Sequence, residues 1–193
     1  MRKIIPWLLL VTLLCAGCGK AREGEALQTH YAAVTCAELT ADVTCHLPEE
    51  TRSFTVACTY DAGGDSSVVI TAPAELAGVT ATVSGEDLTL SYGELTLAAG
   101  SPTDLCVANC LPWLLKAAAS GYVLEEGRET LDGRDCLRLA LDTTAPAGDK
   151  VVISAWFDAG TQEPVYGEFT MADQLVLTAE ITSFRAETAP AED

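Results

Sequence analysis

Apolar and polar residues alternate with a period of two along most of the chain, which is typical of β-strands that bury one face. Val43 and Cys45, for example, flank the polar Thr44. Turn-forming residues separate the segments, and Asp132-Gly133 is a strong hairpin signal. The pattern predicts strands over residues 39–46, 54–60, 67–72, 79–84, 88–92, 94–98, 122–130, 136–142, 151–157, 163–171 and 175–184.

Two segments have a helical period instead, one before the first strand and one between the strands. Residues 25–36 carry apolar side chains at positions i, i+4 and i+7, which predicts an N-terminal helix. A second helical segment is predicted from Pro102 to about Ser120. Asp104 is its expected N-cap, and Pro112 is expected to kink or split it because proline lacks a backbone N–H. The sequence therefore predicts an α+β domain, in which one antiparallel sheet of about nine or ten strands curls to hide its apolar face under the helices.

The first 17 residues have the parts of a secretory signal peptide. Arg2 and Lys3 give a positive start. The apolar core that follows spans about 11 residues, or roughly 16 Å as a helix, which is too short for a bilayer core of about 30 Å. Ala16 and Gly17 stand directly before Cys18, which resembles the end of a bacterial lipoprotein signal. We expect Cys18 to carry lipid; the alternative is an ordinary cleaved leader with a stray cysteine.

These features predict a division of the chain into four parts. Residues 1–17 form the lipoprotein signal peptide, residues 18–24 a lipidated tether, residues 25–185 one domain, and residues 186–193 a disordered tail. The expected location is the extracytoplasmic face of the cell membrane, with the membrane as a partner through the lipid anchor.

The chain is strongly acidic. Its formal net charge is -17 at pH 7, and loss of Arg2 and Lys3 with the leader changes this to -19. No basic patch is present, so nucleic acid and anionic lipid headgroups are poor partners. Solubility outside the cytoplasm explains the acidity, and a specific basic partner is the alternative.

Six cysteines remain once Cys15 is lost with the leader and Cys18 carries lipid. An even number of cysteines in an exported chain favours disulfides, and buried free thiols are the alternative. A metal site is less favoured because zinc needs four ligands brought together, and no metal or cofactor is predicted. The disulfide candidates are Cys36, Cys45, Cys58, Cys106, Cys110 and Cys136, with Cys36–Cys136 and Cys45–Cys58 as suggested pairs.

The sequence does not indicate enzyme chemistry. His30 and His46 are the two histidines, and both are expected at the surface. The chain contains no Gly-x-Ser-x-Gly element, no phosphate loop and no His-Glu-x-x-His motif. We therefore predict a non-enzymatic protein, since an enzyme would need a cleft in which titratable side chains converge.

Three stretches resemble a known family. They are residues 70–79 (Ile-Thr-Ala-Pro-Ala-Glu-Leu-Ala-Gly-Val), residues 131–136 (Leu-Asp-Gly-Arg-Asp-Cys), and residues 156–158 (Trp-Phe-Asp) leading to 164–165 (Pro-Val) and Phe184. Together with the order of helices and strands, they resemble the LolA/LolB-like superfamily of lipoprotein carriers, especially its lipid-anchored Gram-positive, GerS-like branch. The resemblance covers the whole predicted domain. It implies an incomplete barrel, closed by helices, around an apolar cavity that takes acyl chains.

The resemblance places the candidate ligand site between the helical cover and the sheet. Trp113 and Leu114 are expected to line or gate the cavity, and ordinary core packing is the alternative. The candidate cavity residues are Val43, Phe54, Val56, Leu88, Leu90, Trp113 and Leu114.

Two functions follow from these expectations. The first is a membrane-anchored lipoprotein that binds a hydrophobic ligand, a lipid or an acyl chain, in the half-barrel cavity. The alternative is an envelope scaffolding or regulatory lipoprotein that binds a partner protein, such as a cell-wall enzyme, and has no ligand cavity. A pocket of about 300 Å³ or more would favour the first function, and a filled interior would favour the second.

Overall fold

The computed structural model describes residues 23–85, 87–100, 105–143 and 150–189. The predicted leader, Cys18, Asp104 and the last residues of the predicted tail lie outside the described residues. Within the described part, no helix has the length and apolar character needed to cross a membrane.

Two helices and eleven strands make up the described part of the chain. The helices are α1 (Glu23–Ala32) and α2 (Cys110–Ser120). The strands are β1 (Val34–His46), β2 (Thr51–Asp61), β3 (Ser66–Ala72), β4 (Thr80–Ser84), β5 (Asp87–Tyr92), β6 (Leu95–Ala98), β7 (Tyr122–Leu131), β8 (Arg134–Asp142), β9 (Val151–Asp158), β10 (Pro164–Met171) and β11 (Gln174–Thr188).

All eleven strands form one antiparallel sheet in the order β6-β5-β4-β3-β2-β1-β11-β10-β9-β8-β7. Most neighbours are consecutive in the chain, but β1 pairs with β2 on one side and with the last strand, β11, on the other. β6 and β7 are the two edges, so the sheet is not closed. The predicted α+β fold is confirmed, with eleven strands instead of nine or ten.

Strand β1 begins five residues earlier than the alternation predicts. Val34 pairs with Thr188 at the end of β11, so residues 34–38 join the sheet instead of extending the predicted helix. A β-branched side chain and backbone bonds to neighbouring strands favour this outcome. β11 accordingly continues to Thr188, inside the predicted tail, and α1 begins at Glu23, inside the predicted tether.

The core lies between one face of the sheet and the two helices. α1 buries Leu27 and Tyr31, and the Tyr31 hydroxyl donates a 2.8 Å hydrogen bond to the carbonyl oxygen of Gln162. α1 contacts α2, β7 and β8, and α2 contacts β2, β8 and β9. Because α2 reaches both β2 and β8, which four strands separate, the sheet curls around it. Strands β4–β6 lie outside the main contacts of either helix.

The mid-chain helix starts later than predicted. α2 begins at Cys110, after Asn109, and residues 105–109 are not helical. Pro112 therefore stands in the first turn, where a backbone N–H has no helical partner, and the predicted kink is wrong. The Asn109 Oδ1 accepts a 2.9 Å hydrogen bond from the Cys106 N–H, which fixes the turn before the helix.

The two suggested disulfides are not formed, because Cys36, Cys136, Cys45 and Cys58 are free thiols. Cys45 lies opposite Arg52, and Cys58 lies six residues further along β2, about 20 Å away. Cys36 in β1 and Cys136 in β8 are separated by three strands, or about 19 Å along the sheet. A disulfide needs Cα atoms within about 7 Å of each other, so neither suggested pair fits.

Candidate functional site

The seven predicted cavity residues lie in or against the hydrophobic core. The buried ones are Val43, Val56, Leu88 and Leu114, and the half-buried ones are Phe54, Leu90 and Trp113. Val43 lies directly opposite Phe54, and Val56 lies two positions along the same strand, on the same face. These side chains belong to the packing of the molecule, and their role in ligand binding stays a prediction.

A cleft of about 150 Å³ lies beside α1, away from the predicted cavity residues. Its lining residues are Glu23, Ala26, Leu27, Arg128, Leu137, Asp158, Ala159 and Gln162. Ligand pockets usually occupy about 300–1,000 Å³. This cleft is therefore too small to enclose a drug-sized molecule or a long acyl chain.

The polar groups of this cleft hold neighbouring elements together. The Arg128 guanidinium donates a 2.8 Å hydrogen bond to the Glu23 carboxylate and so ties α1 to β7. The Asp158 carboxylate accepts hydrogen bonds from the backbone N–H groups of Thr161 and Gly160, which hold the pKa of its carboxyl below the usual range. These interactions fix α1 and the turn between β9 and β10, and they give the cleft a structural role.

The two histidines lie on separate elements. His30 lies in α1, and its ring packs edge-to-face against the Tyr31 ring. His46 is the last residue of β1, and its Nε2 lies 3.5 Å from the Thr178 Oγ1. Across the described ranges, no group of three or more His, Cys, Asp or Glu residues is placed to hold a metal ion.

The apolar inner face of the sheet continues past the helical cover onto the β5–β6 hairpin. Leu90 lies directly opposite Leu97, and Tyr92 lies directly opposite Leu95. These four residues, which we call the β5–β6 stripe, share the face of the buried Leu88, two positions before Leu90. The outer part of the stripe is open to solvent, with Tyr92 56%, Leu97 65% and Leu95 75% exposed.

The strands of this hairpin were predictable from the sequence, but their exposure was not. The alternation over residues 88–98 resembles that of the buried strands, and only the position of β6 at the sheet edge leaves its apolar side chains uncovered. One signal was present in the sequence. No Lys, Arg or His occurs over residues 53–115, a stretch that contains seven Asp and Glu residues.

Exposed carboxylates lie close to the β5–β6 stripe. Glu94 lies in the turn between β5 and β6, beside Leu95, whereas Asp87 begins β5 on the face opposite to that of Leu88. Glu75 lies in the β3–β4 loop, and Gly78 of that loop sits beside the Tyr92 ring. Glu75, Asp87 and Glu94 are all exposed and form no ion pair with another described residue. The exposed end of the stripe is therefore apolar, with the carboxylates of Glu75 and Glu94 near it.

A scan against protein-family models and a search of curated proteins give no match for this chain. Solved structures do match. A DUF1329 family protein from Desulfovibrio piger has a TM-score of 0.52 and 13% identity, over 90% of this chain and 96% of that chain. A LolA superfamily protein from Nitrosomonas europaea has a TM-score of 0.48 and 14% identity, over 88% of this chain and 96% of that chain. A chain from the complex of the CwlD amidase of Clostridioides difficile with the GerS lipoprotein has a TM-score of 0.37 and 12% identity, over 91% of this chain and 98% of that chain.

These similarities concern the fold. The Desulfovibrio piger structure shows that the arrangement of sheet and helices is shared with a solved protein. At identities of 12% to 14%, no site residue transfers from these structures to this chain.

Proposed function

We propose that this chain is a non-enzymatic lipoprotein, anchored through Cys18 on the extracytoplasmic face of the cell membrane, that binds a partner protein of the envelope. The observation that carries the proposal is the β5–β6 stripe. Its apolar side chains stay exposed, while the inner face under the helices is occupied by core side chains. Contiguous exposed apolar surface rimmed by polar groups commonly marks an interaction site.

The anchor and the location rest on the leader, in which small residues stand directly before Cys18. The non-enzymatic role is supported by the cleft beside α1. Its charged groups serve the fold, since Arg128 holds Glu23 and Asp158 caps a turn. A binding protein needs neither convergent catalytic groups nor a cofactor.

A second candidate function is the binding of a hydrophobic ligand, a lipid or an acyl chain. Leu88 and Leu90, two of the predicted cavity residues, lie on β5 next to the exposed part of the stripe. An acyl chain lying along this open face would bury apolar surface at about 0.8 kcal/mol per CH₂ group. Such a ligand would not require the enclosed cavity that the family resemblance implies.

Purification of the full chain from the membranes of its own host separates the two functions. Cross-linking in intact cells followed by peptide mass spectrometry detects a protein neighbour. Native mass spectrometry before and after organic extraction detects a lipid as a mass that extraction removes.

We expect a defined protein neighbour that cross-links to the wild type and is lost when Leu95→Ser and Leu97→Ser are combined. Leu175→Ser is the matched control, because Leu175 lies on β11 and its side chain is also exposed, at 41%. A removable lipid without a protein neighbour would favour the second function and overturn the first. Neither a lipid nor a neighbour would overturn both.

A further inference from the structure

β6 is an edge strand, and no strand of the described residues pairs with its outer side. Leu88 uses both its N–H and its C=O to bond the residues directly after β6. In an antiparallel pair, every second residue forms backbone hydrogen bonds to the neighbouring strand. Leu90 and Tyr92 therefore also bond to β6, and their partners Leu97 and Leu95 direct their own N–H and C=O groups toward β5. The backbone N–H and C=O groups of Thr96 and Ala98 consequently point away from the sheet. They are available to an added strand.

The two edge strands of the sheet differ in how well they are protected against pairing with another chain. β7 carries Glu125, Glu126, Arg128 and Glu129, whereas β6 (Leu95–Ala98) has no charged residue. Charged side chains are a common means of preventing unwanted pairing at a sheet edge. β6 lacks them, although its length of four residues restricts any added strand to a short contact.

The stripe and the charge around it define what fits this edge. A segment that pairs with β6 places every second side chain on the face of Leu95 and Leu97, so apolar residues suit those positions. Glu75 and Glu94 lie near the exposed end of that face, and Asp87 lies on the opposite face, where the remaining side chains of the segment point. None of the three forms an ion pair with a described residue. They favour Lys or Arg in the remaining positions and at the ends of the segment.

We propose that the free edge of β6 binds an extended segment of a partner protein in which apolar residues alternate with Lys or Arg. The inference rests on the proposed function, since it names the surface and the chemistry by which the partner is held. A second copy of the chain fits less well, because each copy is strongly acidic, with a net charge of -17 that becomes -19 when Arg2 and Lys3 are lost with the leader, and the two acidic surfaces repel. The same charge disfavours an anionic membrane.

A binding experiment with defined peptides tests this surface. The full chain in phosphatidylcholine nanodiscs is titrated into the dye-labelled peptide Lys-Val-Lys-Val-Lys-Val-Lys, and binding is followed by fluorescence anisotropy. One control peptide, Lys-Lys-Lys-Lys-Val-Val-Val, keeps the composition without the alternation. The other, Glu-Val-Glu-Val-Glu-Val-Glu, keeps the alternation with the opposite charge. We expect the alternating cationic peptide to bind at least about tenfold more tightly than either control, a difference of about 1.4 kcal/mol.

Thr96→Pro is the deciding variant. Proline removes the outward N–H at this position and leaves the bonds between β5 and β6 in place, because the neighbouring residues make them. We expect about tenfold weaker binding with an unchanged circular dichroism spectrum, whereas Thr96→Ser, which keeps the N–H, binds like the wild type. Leu97→Ser tests the side-chain contact independently of Thr96→Pro, and Leu175→Ser is its exposed-leucine control.

Several results would overturn the inference. Equal binding of the two cationic peptides would indicate general attraction to an acidic protein, and unchanged binding in both Thr96→Pro and Leu97→Ser would exclude β6. Sedimentation analysis that finds a dimer abolished by Leu97→Ser would assign the edge to a second copy. Binding of protein-free phosphatidylcholine vesicles that is lost in Leu97→Ser would assign it to a lipid surface.

The same variants separate the failure of this site from the failure of the proposed function. A cellular partner that cross-links equally to the wild type and to Thr96→Pro would preserve the partner-binding function and overturn the β6 site. The absence of any partner for the wild type would overturn both.

Discussion

At the scale of single residues, burial decides the chemistry of the cysteines. Cys58 is 3% exposed, and burial raises the pKa of its thiol from 9.0 to about 12. Burial also raises the pKa of Cys110, and the neighbouring Cys106 and Cys58 add to this effect. Thiols react as thiolates, so Cys58 and Cys110 are inert near neutral pH. Cys36, in contrast, is exposed.

We predict that iodoacetamide at pH 8 modifies Cys36 quickly and leaves Cys58 and Cys110 unmodified until urea unfolds the chain. Peptide mass spectrometry at successive times measures the order of modification. Equal rates for Cys36 and Cys58 in the folded protein would contradict the burial described here.

The same thiol gives a pH dependence of stability. The unfolded chain releases the Cys58 proton near pH 9, whereas the folded chain keeps it up to about pH 12. The unfolded state therefore binds fewer protons in this interval, and the free energy of unfolding falls as the pH rises above about 9. Urea titrations between pH 8 and pH 11 measure the fall, and Cys58→Ala, which removes the thiol, is expected to make it shallower.

Residue burial was largely predictable, because an alternating strand has only two faces. Val43, Val56 and Leu88 all fall on the apolar face of their strands, and all are buried. The pairing of cysteines was not predictable in the same way. It depends on the register between strands far apart in the chain, and that register places Cys45 and Cys58 about 20 Å apart.

At the scale of elements, α2 is the helix around which the sheet curls. It contacts β2 on one side and β8 and β9 on the other, so its apolar side chains bridge strands that are distant in the sheet. Leu114 has no exposed surface. The Leu114 side chain also lies next to Gly167 of β10, where an added Cβ would stand 3.6 Å from it.

We predict that Leu114→Ala lowers the free energy of unfolding by about 2–5 kcal/mol, because it removes buried methyl groups and leaves a cavity. Lys116→Ala is the matched control in the same helix, and since Lys116 is exposed, its effect is expected to stay within about 0.5 kcal/mol. Urea unfolding followed by circular dichroism measures both. A loss for Leu114→Ala no larger than that of the control would mean that α2 does not hold the sheet together.

The existence of the elements was easier to predict than their ends. The period of two is a local signal, and each of the eleven predicted strand segments corresponds to an observed strand. The start of β1 at Val34 depends on pairing with Thr188, more than 150 residues away in the chain, which no local pattern contains. The start of α2 is not where the sequence predicts it, because Pro112 lies in the first turn of the helix, where proline is compatible with the helical backbone.

At the scale of the whole molecule, apolar surface and charge are distributed unevenly. The helices cover the part of the sheet from β2 to β8, and the hairpin of β5 and β6 extends beyond them with its apolar side exposed. That hairpin lies within residues 53–115, the stretch that contains no basic residue. An uncovered apolar face at an edge whose nearby carboxylates form no ion pair suits a cationic partner better than a bilayer or a second copy.

The proposed lipid anchor at Cys18 would fix where such a partner meets the molecule, and it can be tested directly. We predict that Cys18→Ser moves the chain from the membrane fraction to the soluble extracytoplasmic fraction, because the proposed attachment depends on acyl chains at this residue. Two or more acyl chains should also keep the wild type on the membrane through a high-salt wash, which removes proteins held only by charge. Cys15→Ser is the matched control, since Cys15 lies in the predicted leader. Fractionation with mass spectrometry of the N-terminal peptide reads out both variants, and release by Cys15→Ser, or retention of Cys18→Ser, would show that the anchor lies elsewhere.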